Sequence, residues 1–112
     1  MPPSNPKNKD LQPIADLDLT LHAPARLMIL AMLHVVEEAD FTFLMNQTGL
    51  TRGNLSTHLS KLEEDGYIDV KKRFVGKKPR TLIRLTKRGR SAIKNYRRNM
   101  RQVIDDLLES SS

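Results

Sequence analysis

The stretch 49–66, GLTRGNLSTHLSKLEEDG, restricts the fold of this chain more than any other part of its sequence. Its leucines, Leu55, Leu59 and Leu62, recur at spacings of four and three, which is the period of an amphipathic helix. Thr51 is suited to cap the N-terminus of this helix, and the closing glycine is suited to end it. The stretch therefore predicts a helix that buries only one stripe of its surface.

The side of this helix opposite the leucines carries short polar residues rather than the Lys/Glu pairs of an ordinary solvated helix. At about 100° per residue from Leu55, that side is centred on Gly53, Thr57, Ser60 and Glu64. Small side chains let a backbone approach another molecule closely, and hydroxyls hydrogen-bond to phosphates or base edges. These properties indicate a helix that enters the major groove of DNA with its N-terminal end.

Two alternating segments follow and predict a β-hairpin. YIDVKKRF places Ile68 and Val70 on one face, and TLIRL does the same for Ile83 and Leu85. The intervening VGKKPR has a glycine and a proline that suit a turn, and its other residues are mostly cationic. A short helix, a tight turn, an amphipathic helix and a hairpin together form a helix-turn-helix with a wing.

The N-terminal part predicts a tail and two helices. Residues 1–13, with four prolines, are typical of a disordered tail, and Pro13 can begin a short helix through Leu21. A second helix is predicted from Pro24 to about Glu38. Because its body is apolar nearly all round, it is expected to be the central buried helix.

A short extended segment at 40–43 is predicted to lead into a helix of about two turns, capped by Thr42 and ended by Gly49. Leu44 faces the core on this helical wheel, whereas Phe43 points elsewhere. An exposed phenylalanine is either an ordinary surface residue or a contact with a second subunit or an effector.

A long helix is predicted to close the chain, with Thr86 as its N-cap and an end near Glu109. Its apolar positions alternate at three and four residues over about two heptads, which is the pattern of a coiled-coil seam. Such a helix is about 36 Å long, further than so small a core extends, so part of the stripe is expected to pair with a second subunit. Folding back onto its own domain is the alternative. The predicted dimerisation residues are Ile93, Tyr96, Met100, Val103, Ile104 and Leu107.

The charges of the chain are strongly segregated. Residues 70–104 contain 14 of the 19 Lys and Arg and no Asp or Glu, so the remainder, with five cations and 13 acids, carries −8. A merely solvated surface normally mixes both signs. This distribution therefore favours a polyanionic partner, and nucleic acid above a generic basic surface.

Several kinds of chemistry are disfavoured. The absence of Cys excludes disulfides, thiolate metal sites and cysteine nucleophiles. The three His have no ligand spacing, and neither a Gly-rich phosphate loop nor a triad pattern occurs, so no enzyme activity, cofactor or metal site is predicted. The longest apolar run, Leu27 to Leu33, is far below the ~20 residues of a bilayer span, and no signal peptide is recognised. A cytoplasmic protein without membrane contact is expected.

The stretch GLTRGNLSTHLSKLEEDGYIDVKKRFVGKKPRTLIRLTKRGRSAI resembles winged helix-turn-helix transcriptional regulators of the MarR and ArsR type, and is most similar to the small one-domain members of archaea and bacteria. The matching features are GLT-x-GNLS-x-HL-x-x-LE-x-x-GYI, the G-x-x-x-x-T segment of the wing and LT-x-x-G before the last helix, within about residues 24–93. The resemblance implies a homodimer that binds DNA sequence-specifically and represses or activates transcription. The thiolate metal motif of many ArsR-type sensors cannot exist here without Cys.

The predicted fold is mainly α with a small β-hairpin, a winged helix-turn-helix (α+β) with a long C-terminal dimerisation helix. Residues 1–13 form the tail, 14–92 the DNA-binding domain, and 93–112 the dimerisation helix with a short tail. Double-stranded DNA is the expected partner, with the recognition helix 51–65 in the major groove and the wing 71–85 on the backbone or minor groove. The alternative is a winged-helix module for protein interaction or assembly with an acidic partner. The sequence identifies neither an operator nor an effector.

The candidate contacts lie on the recognition helix and the wing. Arg52 is the leading candidate to read a guanine, because its guanidinium can pair with O6 and N7 together. His58, about 60° from the leucine stripe, is either half-buried at the helix edge or a phosphate contact. The cations near the hairpin tip can follow the backbone or enter the minor groove, where Arg favours narrow A·T-rich DNA. The predicted DNA-binding residues are Thr51, Arg52, Gly53, Asn54, Ser56, Thr57, Ser60, Lys61, Arg73, Lys77, Lys78 and Arg80.

Overall fold

The computed structural model describes residues 12–111, with side-chain environments for 14–109. Five helices and three strands alternate in a winged helix-turn-helix with a long C-terminal helix, which confirms the predicted fold class. The predicted disordered tail lies almost wholly outside the described residues. The helices are α1 Gln12–Ala15, α2 Pro24–Val36, α3 Phe41–Thr48, α4 Arg52–Glu64 and α5 Lys87–Ser111, and the strands are β1 Glu38–Asp40, β2 Ile68–Val75 and β3 Lys78–Leu85.

The first helix is much shorter than predicted. α1 is a single turn, so the expectation of a helix from Pro13 through Leu21 is wrong. The reason is Asp18, whose carboxylate accepts hydrogen bonds from the backbone N–H groups of Thr20 at 2.9 Å and Leu21 at 3.3 Å. An Asp that satisfies its own local backbone in this way favours a turn over a helix. The turn carries Leu21 into the core, where it is fully buried.

α2 begins at Pro24 as predicted and ends two residues earlier than expected. Glu37 has a φ of 67° and a ψ of −44°, which lie outside the helical region, so the helix cannot continue through it. α2 contributes to the core as predicted, but its C-terminal end is open to solvent, with Val35 79% exposed and Val36 42% exposed. The core covers only one side of the helix. Its buried residues are Ile29, Leu30 and Leu33.

The N-cap of α3 is Asp40 rather than the predicted Thr42. An Asp40 carboxylate oxygen accepts a hydrogen bond from the Phe43 backbone N–H at 2.7 Å, and Thr42 lies inside the first turn. The position of the extended segment predicted at 40–43 is wrong. The extended residues are Glu38–Asp40, which form β1 immediately before α3. The end of α3 at Gly49 is confirmed, with a φ of 71° that glycine adopts without strain.

The sheet has three strands in the order β1-β3-β2, one more than the predicted hairpin. β1 pairs antiparallel with β3 only from Glu38 opposite Arg84 to Asp40 opposite Leu82. Three residues are too few to show an alternating pattern, so the sequence predicts an extended segment near this position but not its pairing with β3.

The hairpin turn is also shorter than predicted. Val75 pairs with Lys78, so the turn consists only of Gly76 and Lys77, and the six-residue turn VGKKPR is wrong. Gly76, with a φ of 66°, occupies the first central position as in a type II′ turn. Pro79 is tolerated in β3 because β1 does not extend that far, which leaves the proline in a two-stranded ribbon.

One aliphatic core joins these elements. The leucine stripe of α4 is buried, and the predicted inward residues of the hairpin are buried except for the half-buried Val70, so both expectations are confirmed. Fully burying an aliphatic side chain contributes about 1.5–3 kcal/mol, which makes this core the main stabilising element. The buried cluster consists of Leu21, Ile29, Leu30, Leu33, Ala39, Leu44, Leu55, Leu59, Leu62, Tyr67, Ile68, Ile83 and Leu85.

Tyr67 links the end of α4 to the N-terminal segment. Its ring is only 9% exposed, its hydroxyl donates a hydrogen bond to the Asp18 carboxylate, and the Arg88 guanidinium lies 5.8 Å from the ring centroid. Burial, followed by the hydrogen bond to Asp18 and the charge of that residue, raises the pKa of Tyr67 to about 12.

We expect this tyrosine to make the fold sensitive to alkali. Unfolded Tyr67 loses its proton near its ordinary pKa of 10.0, whereas the folded protein retains the proton up to about 12. The free energy of unfolding therefore falls as the pH rises through this interval, by roughly 2–3 kcal/mol. Urea unfolding at a series of pH values measures the effect. Tyr67→Phe is the control, because this variant has no hydroxyl to titrate. The prediction is refuted if the difference in the free energy of unfolding between the wild type and the variant stays constant from pH 9 to 12.

Candidate nucleic-acid interface

The N-terminal half of α4 forms an exposed polar surface. The Thr51 hydroxyl oxygen accepts a hydrogen bond from the Asn54 backbone N–H at 3.1 Å, which confirms the predicted N-cap. Leu55 on the other side is fully buried and fixes the rotation of the helix. The predicted contacts of this region are therefore all exposed to solvent: Thr51, Arg52, Gly53, Asn54, Ser56, Thr57, Ser60 and Lys61.

Gly53 leaves this surface flat. No heavy atom lies within 4 Å of the place where a Cβ would stand, so the glycine is not required by packing inside the domain. The Thr57 hydroxyl donates a hydrogen bond to the Gly53 carbonyl at 3.0 Å. Its oxygen therefore remains an acceptor on a part of the helix where the backbone is accessible.

Arg52 is held in place by an aromatic ring. Its guanidinium carbon lies 5.2 Å from the centroid of the Phe41 ring, and Phe41 packs against the core from the first turn of α3. A cation–π contact of this kind at an exposed site contributes about 0.5–1 kcal/mol. The sequence identified Arg52, but it could not identify this support, because the two residues meet only through the turn between α3 and α4.

An open cleft of about 870 Å³ separates α4 from the hairpin. Residues of α3, α4, β2 and β3 line it, and Phe43, which is 38% exposed as predicted, lies at its edge. Arg52 and Ser60 line the cleft on the α4 side, and Lys72 and Lys78 line it on the hairpin side. The two predicted parts of the interface thus face a common space.

Arg80 lies just beyond the hairpin tip, directly opposite Arg73, and its side chain has a partner within the domain. It lies within β3, and its guanidinium donates a hydrogen bond to the Asp40 carboxylate at 2.6 Å. Because Asp40 also caps α3, this ion pair ties the outer part of the wing to the helix-turn-helix. Arg73, directly opposite Arg80, is exposed, and so are Lys77 and Lys78 at the tip of the hairpin.

The other end of α4 is committed to contacts within the domain. Asp65 accepts a hydrogen bond from the Thr20 hydroxyl, and the Lys61 ammonium lies 3.6 Å from the same carboxylate. His58 is half-buried, with its Nδ1 3.2 Å from a guanidinium nitrogen of Arg26. The structure thus favours the helix-edge interpretation of His58.

The predicted dimerisation residues fall into two groups along α5. Ile93 and Tyr96 pack against the core of their own domain, and the Tyr96 hydroxyl shares a hydrogen bond of 2.8 Å with Nδ1 of His22. Met100 and Val103 are half-buried, and the next residues are open, with Ile104 49% and Leu107 62% exposed. The distal half of the seam is the part that the domain leaves uncovered.

Within residues 12–111, no group of three or more His, Asp or Glu is arranged to hold a metal ion. Among the same residues, no helix combines the length and the apolar character that crossing a bilayer requires.

A helix-turn-helix whose second helix exposes short polar residues beside a cationic hairpin defines the winged-helix class of DNA-binding proteins. The chain belongs to the family described as the winged helix DNA-binding domain, whose model matches residues 25–104. It is a winged-helix DNA-binding regulator.

Relatives support this assignment. An uncharacterised protein of Methanocaldococcus jannaschii is 44% identical over 71 residues, which cover 63% of this chain and 77% of the relative. The solved structure of a transcriptional regulator homologue from Pyrococcus horikoshii OT3 is 31% identical, with a TM-score of 0.77 over 87% of this chain and 95% of that one. The YusO protein of Bacillus subtilis, at 14% identity, shares the fold, with a TM-score of 0.70 over 88% and 67% of the two chains.

Proposed function

We propose that the protein is a homodimer that binds double-stranded DNA sequence-specifically and regulates transcription, with α4 in the major groove. The exposed small-residue surface at the N-terminal half of α4 carries this proposal. Gly53 has open space above it, and the surrounding polar side chains are exposed rather than used in packing. A helix that has to approach base edges closely requires such a surface.

The charges orient the helix. Glu63 and Glu64 are exposed at the C-terminal end of α4, whereas Arg52 lies at its N-terminal end. Phosphates repel the acids and attract both the arginine and the positive N-terminal end of the helix dipole. The N-terminal end therefore enters the groove, and the C-terminal end tilts away from it.

The hairpin supplies the second contact, on the phosphate backbone or in the adjacent minor groove. Six cations and no acids occur between residues 71 and 80, and all six side chains are exposed. Such a set binds DNA largely independently of sequence by releasing counterions. It therefore holds the duplex while α4 discriminates between sequences.

The uncovered distal half of α5 supports the homodimer. A two-fold dimer through this helix would present two copies of α4 to successive major grooves, about 34 Å apart, on an inverted-repeat site. Selection of bound sequences from a random duplex pool tests the proposal, because it reports duplex binding and half-site symmetry together. If the protein binds no duplex from this pool, the alternative is favoured, in which the winged helix is an interaction module for an acidic protein partner.

We expect two single substitutions to separate specific from general binding. Arg52→Ala should lower affinity for the selected site by about 1–3 kcal/mol and change affinity for random duplex little, since it removes a base contact. Lys78→Ala should weaken binding to both duplexes alike and reduce the salt slope by about 2, since it removes one phosphate contact from each subunit of the dimer. Fluorescence anisotropy titrations at several salt concentrations measure both effects.

The matched control is Arg84→Ala. Arg84 is an exposed cation of the same sheet, but its guanidinium lies 3.3 Å from the Glu38 carboxylate at the base of the hairpin, so its loss should change affinity little. If Arg52→Ala and Lys78→Ala act identically on both duplexes, the proposed division between base and phosphate contacts is wrong.

A further inference from the structure

Two large apolar side chains stand at the end of the cationic hairpin. Phe74 is 76% exposed and Val75 is 53% exposed, immediately before the turn at Gly76 and Lys77. Neither belongs to the hydrophobic core or packs against it. A phenylalanine so exposed, at the tip of a hairpin that the proposed function places on DNA, is available to contact the duplex.

The register of the hairpin shows which way this ring projects. Side chains alternate along a strand, so Phe74 lies on the same face of β2 as Ile68 and Val70, and Val75 lies on the other face. Ile68 and Val70 pack on the core beside α4. Phe74 is four residues, or about 13 Å, further along the strand. The ring therefore continues the α4-facing side of the wing beyond the edge of the domain.

The hairpin supports this ring firmly. Strand pairing runs without interruption from Ile68 opposite Leu85 to the two-residue turn, and Phe74 stands directly opposite Pro79. A proline has few backbone conformations to lose, and a directly opposed cross-strand pair packs side by side. The backbone that carries the ring is thus fixed before any partner arrives, which reduces the entropy lost on binding.

The surroundings of Phe74 identify the partner. Every charged residue from 71 to 80 is a cation, and all of them are exposed. This charge is complementary to the phosphates that border a groove, while an apolar ring between those cations matches the stacked bases within it. Proteins that insert an apolar side chain between base steps from the minor groove combine these two features.

We propose that Phe74 is a wedge that enters the minor groove next to the major-groove site, partly unstacks one base step and bends the duplex. This inference rests on the proposed function and adds a second source of specificity to it. Pyrimidine–purine steps unstack and kink most easily, so the wedge favours such a step on the outer side of each half-site without a hydrogen bond to any base.

A single tryptophan tests the wedge directly, because the chain contains none. When the selected duplex is added to Phe74→Trp, we expect the tryptophan fluorescence to be strongly quenched, because the indole stacks on a base. The fluorescence of a 2-aminopurine placed at the flanking step should increase as that base unstacks. Val75→Trp is the matched control, because its neighbouring position faces the other side of the hairpin, and it should change much less. Equal responses from the two variants would overturn the wedge.

Phe74→Ala provides a second and independent measurement. The residue lies outside the core, so the variant should keep the circular dichroism spectrum of the wild type. We expect its affinity for the selected duplex to fall about 5- to 50-fold, as for the loss of one aromatic stacking contact, and the bend measured by fluorescence energy transfer to decrease. Unchanged affinity and bend would overturn the proposal.

The outcomes also separate this inference from the proposed function. If the wild type binds the duplex but the fluorescence of the tryptophan at position 74 does not change, the proposed wedge is wrong and the proposed function as a regulator is retained. If the wild type binds no duplex, both fail. If the emission of Phe74→Trp changes with protein concentration and not with DNA, the ring contacts a second copy of the chain and the wedge is overturned.

Discussion

Gly89→Ala is expected to lower the free energy of unfolding by about 3 kcal/mol or more. A Cβ at this position would lie 2.2 Å from the carbonyl oxygen of Tyr67 and 2.8 Å from a methyl carbon of Leu85. The leucine methyl could rotate away. The carbonyl belongs to the backbone of the segment between α4 and β2, so either α5 or this segment would have to move.

Neither element moves freely, because hydrogen bonds hold the junction between them. The Thr86 backbone N–H donates to the Tyr67 carbonyl at 3.1 Å, and the Thr86 hydroxyl donates to the Gly66 carbonyl at 2.6 Å. The Gly89 N–H donates to the same hydroxyl oxygen at 3.0 Å, which caps α5. A displacement large enough to admit a methyl group would break these bonds and uncover Leu85.

Urea unfolding followed by circular dichroism measures the loss. Gly53→Ala is the control, since it also places an alanine in a helix, but nothing lies within 4 Å of its Cβ. It should stabilise the fold by about 0.5–1 kcal/mol, because alanine loses less conformational entropy than glycine in a helix. An unfolding midpoint of Gly89→Ala at or above that of the wild type would show that the close approach is not real.

The sequence predicts those features that depend on neighbours along the chain. The α4 leucines are set by the helical period, and Thr51 and Gly66 define the ends of α4 by local hydrogen bonding and a positive φ. The alternation of Ile83 and Leu85 is likewise local. Because the exposed side of α4 follows from its buried side, most of the candidate DNA surface was predictable in the same way.

The remaining features depend on residues that meet only in the folded chain. Asp40 and Arg80 are 40 positions apart, and their ion pair joins the wing to the start of α3. The cation–π support of Arg52 by Phe41 has the same character. Gly89 was visible as part of the LT-x-x-G motif, but the carbonyl that excludes a side chain there belongs to another element.

The second large effect is expected at the distal part of α5. The described chain is 65 Å long and 23 Å in both other directions, and its radius of gyration of 17.8 Å exceeds the roughly 13 Å of a compact domain of this size. Much of this excess in the radius of gyration comes from α5, whose 25 residues extend beyond the hydrophobic core of the domain. Met100 and Val103 are half-buried and Ile104 is 49% exposed, so a second copy would bury a stripe that water now reaches.

Ile104→Glu should therefore convert the proposed dimer into monomers that remain folded. The new carboxylate would have to lose its hydration at the subunit interface, which a charge without a partner strongly opposes, whereas in the monomer it stays in water. Light scattering measures the mass. Because each monomer would hold one half-site only, affinity for the inverted repeat should fall by about 100-fold or more.

The matched control for this change is Asn95→Glu. It adds the same charge to the same helix, but it lies about 180° around α5 from Ile104 on an exposed polar side, so the dimer should persist. This comparison separates burial of the seam from the general effect of a negative charge on a basic helix. A dimer that survives Ile104→Glu would mean that α5 does not form the seam, and the spacing of the two recognition helices would then have to be set by another surface.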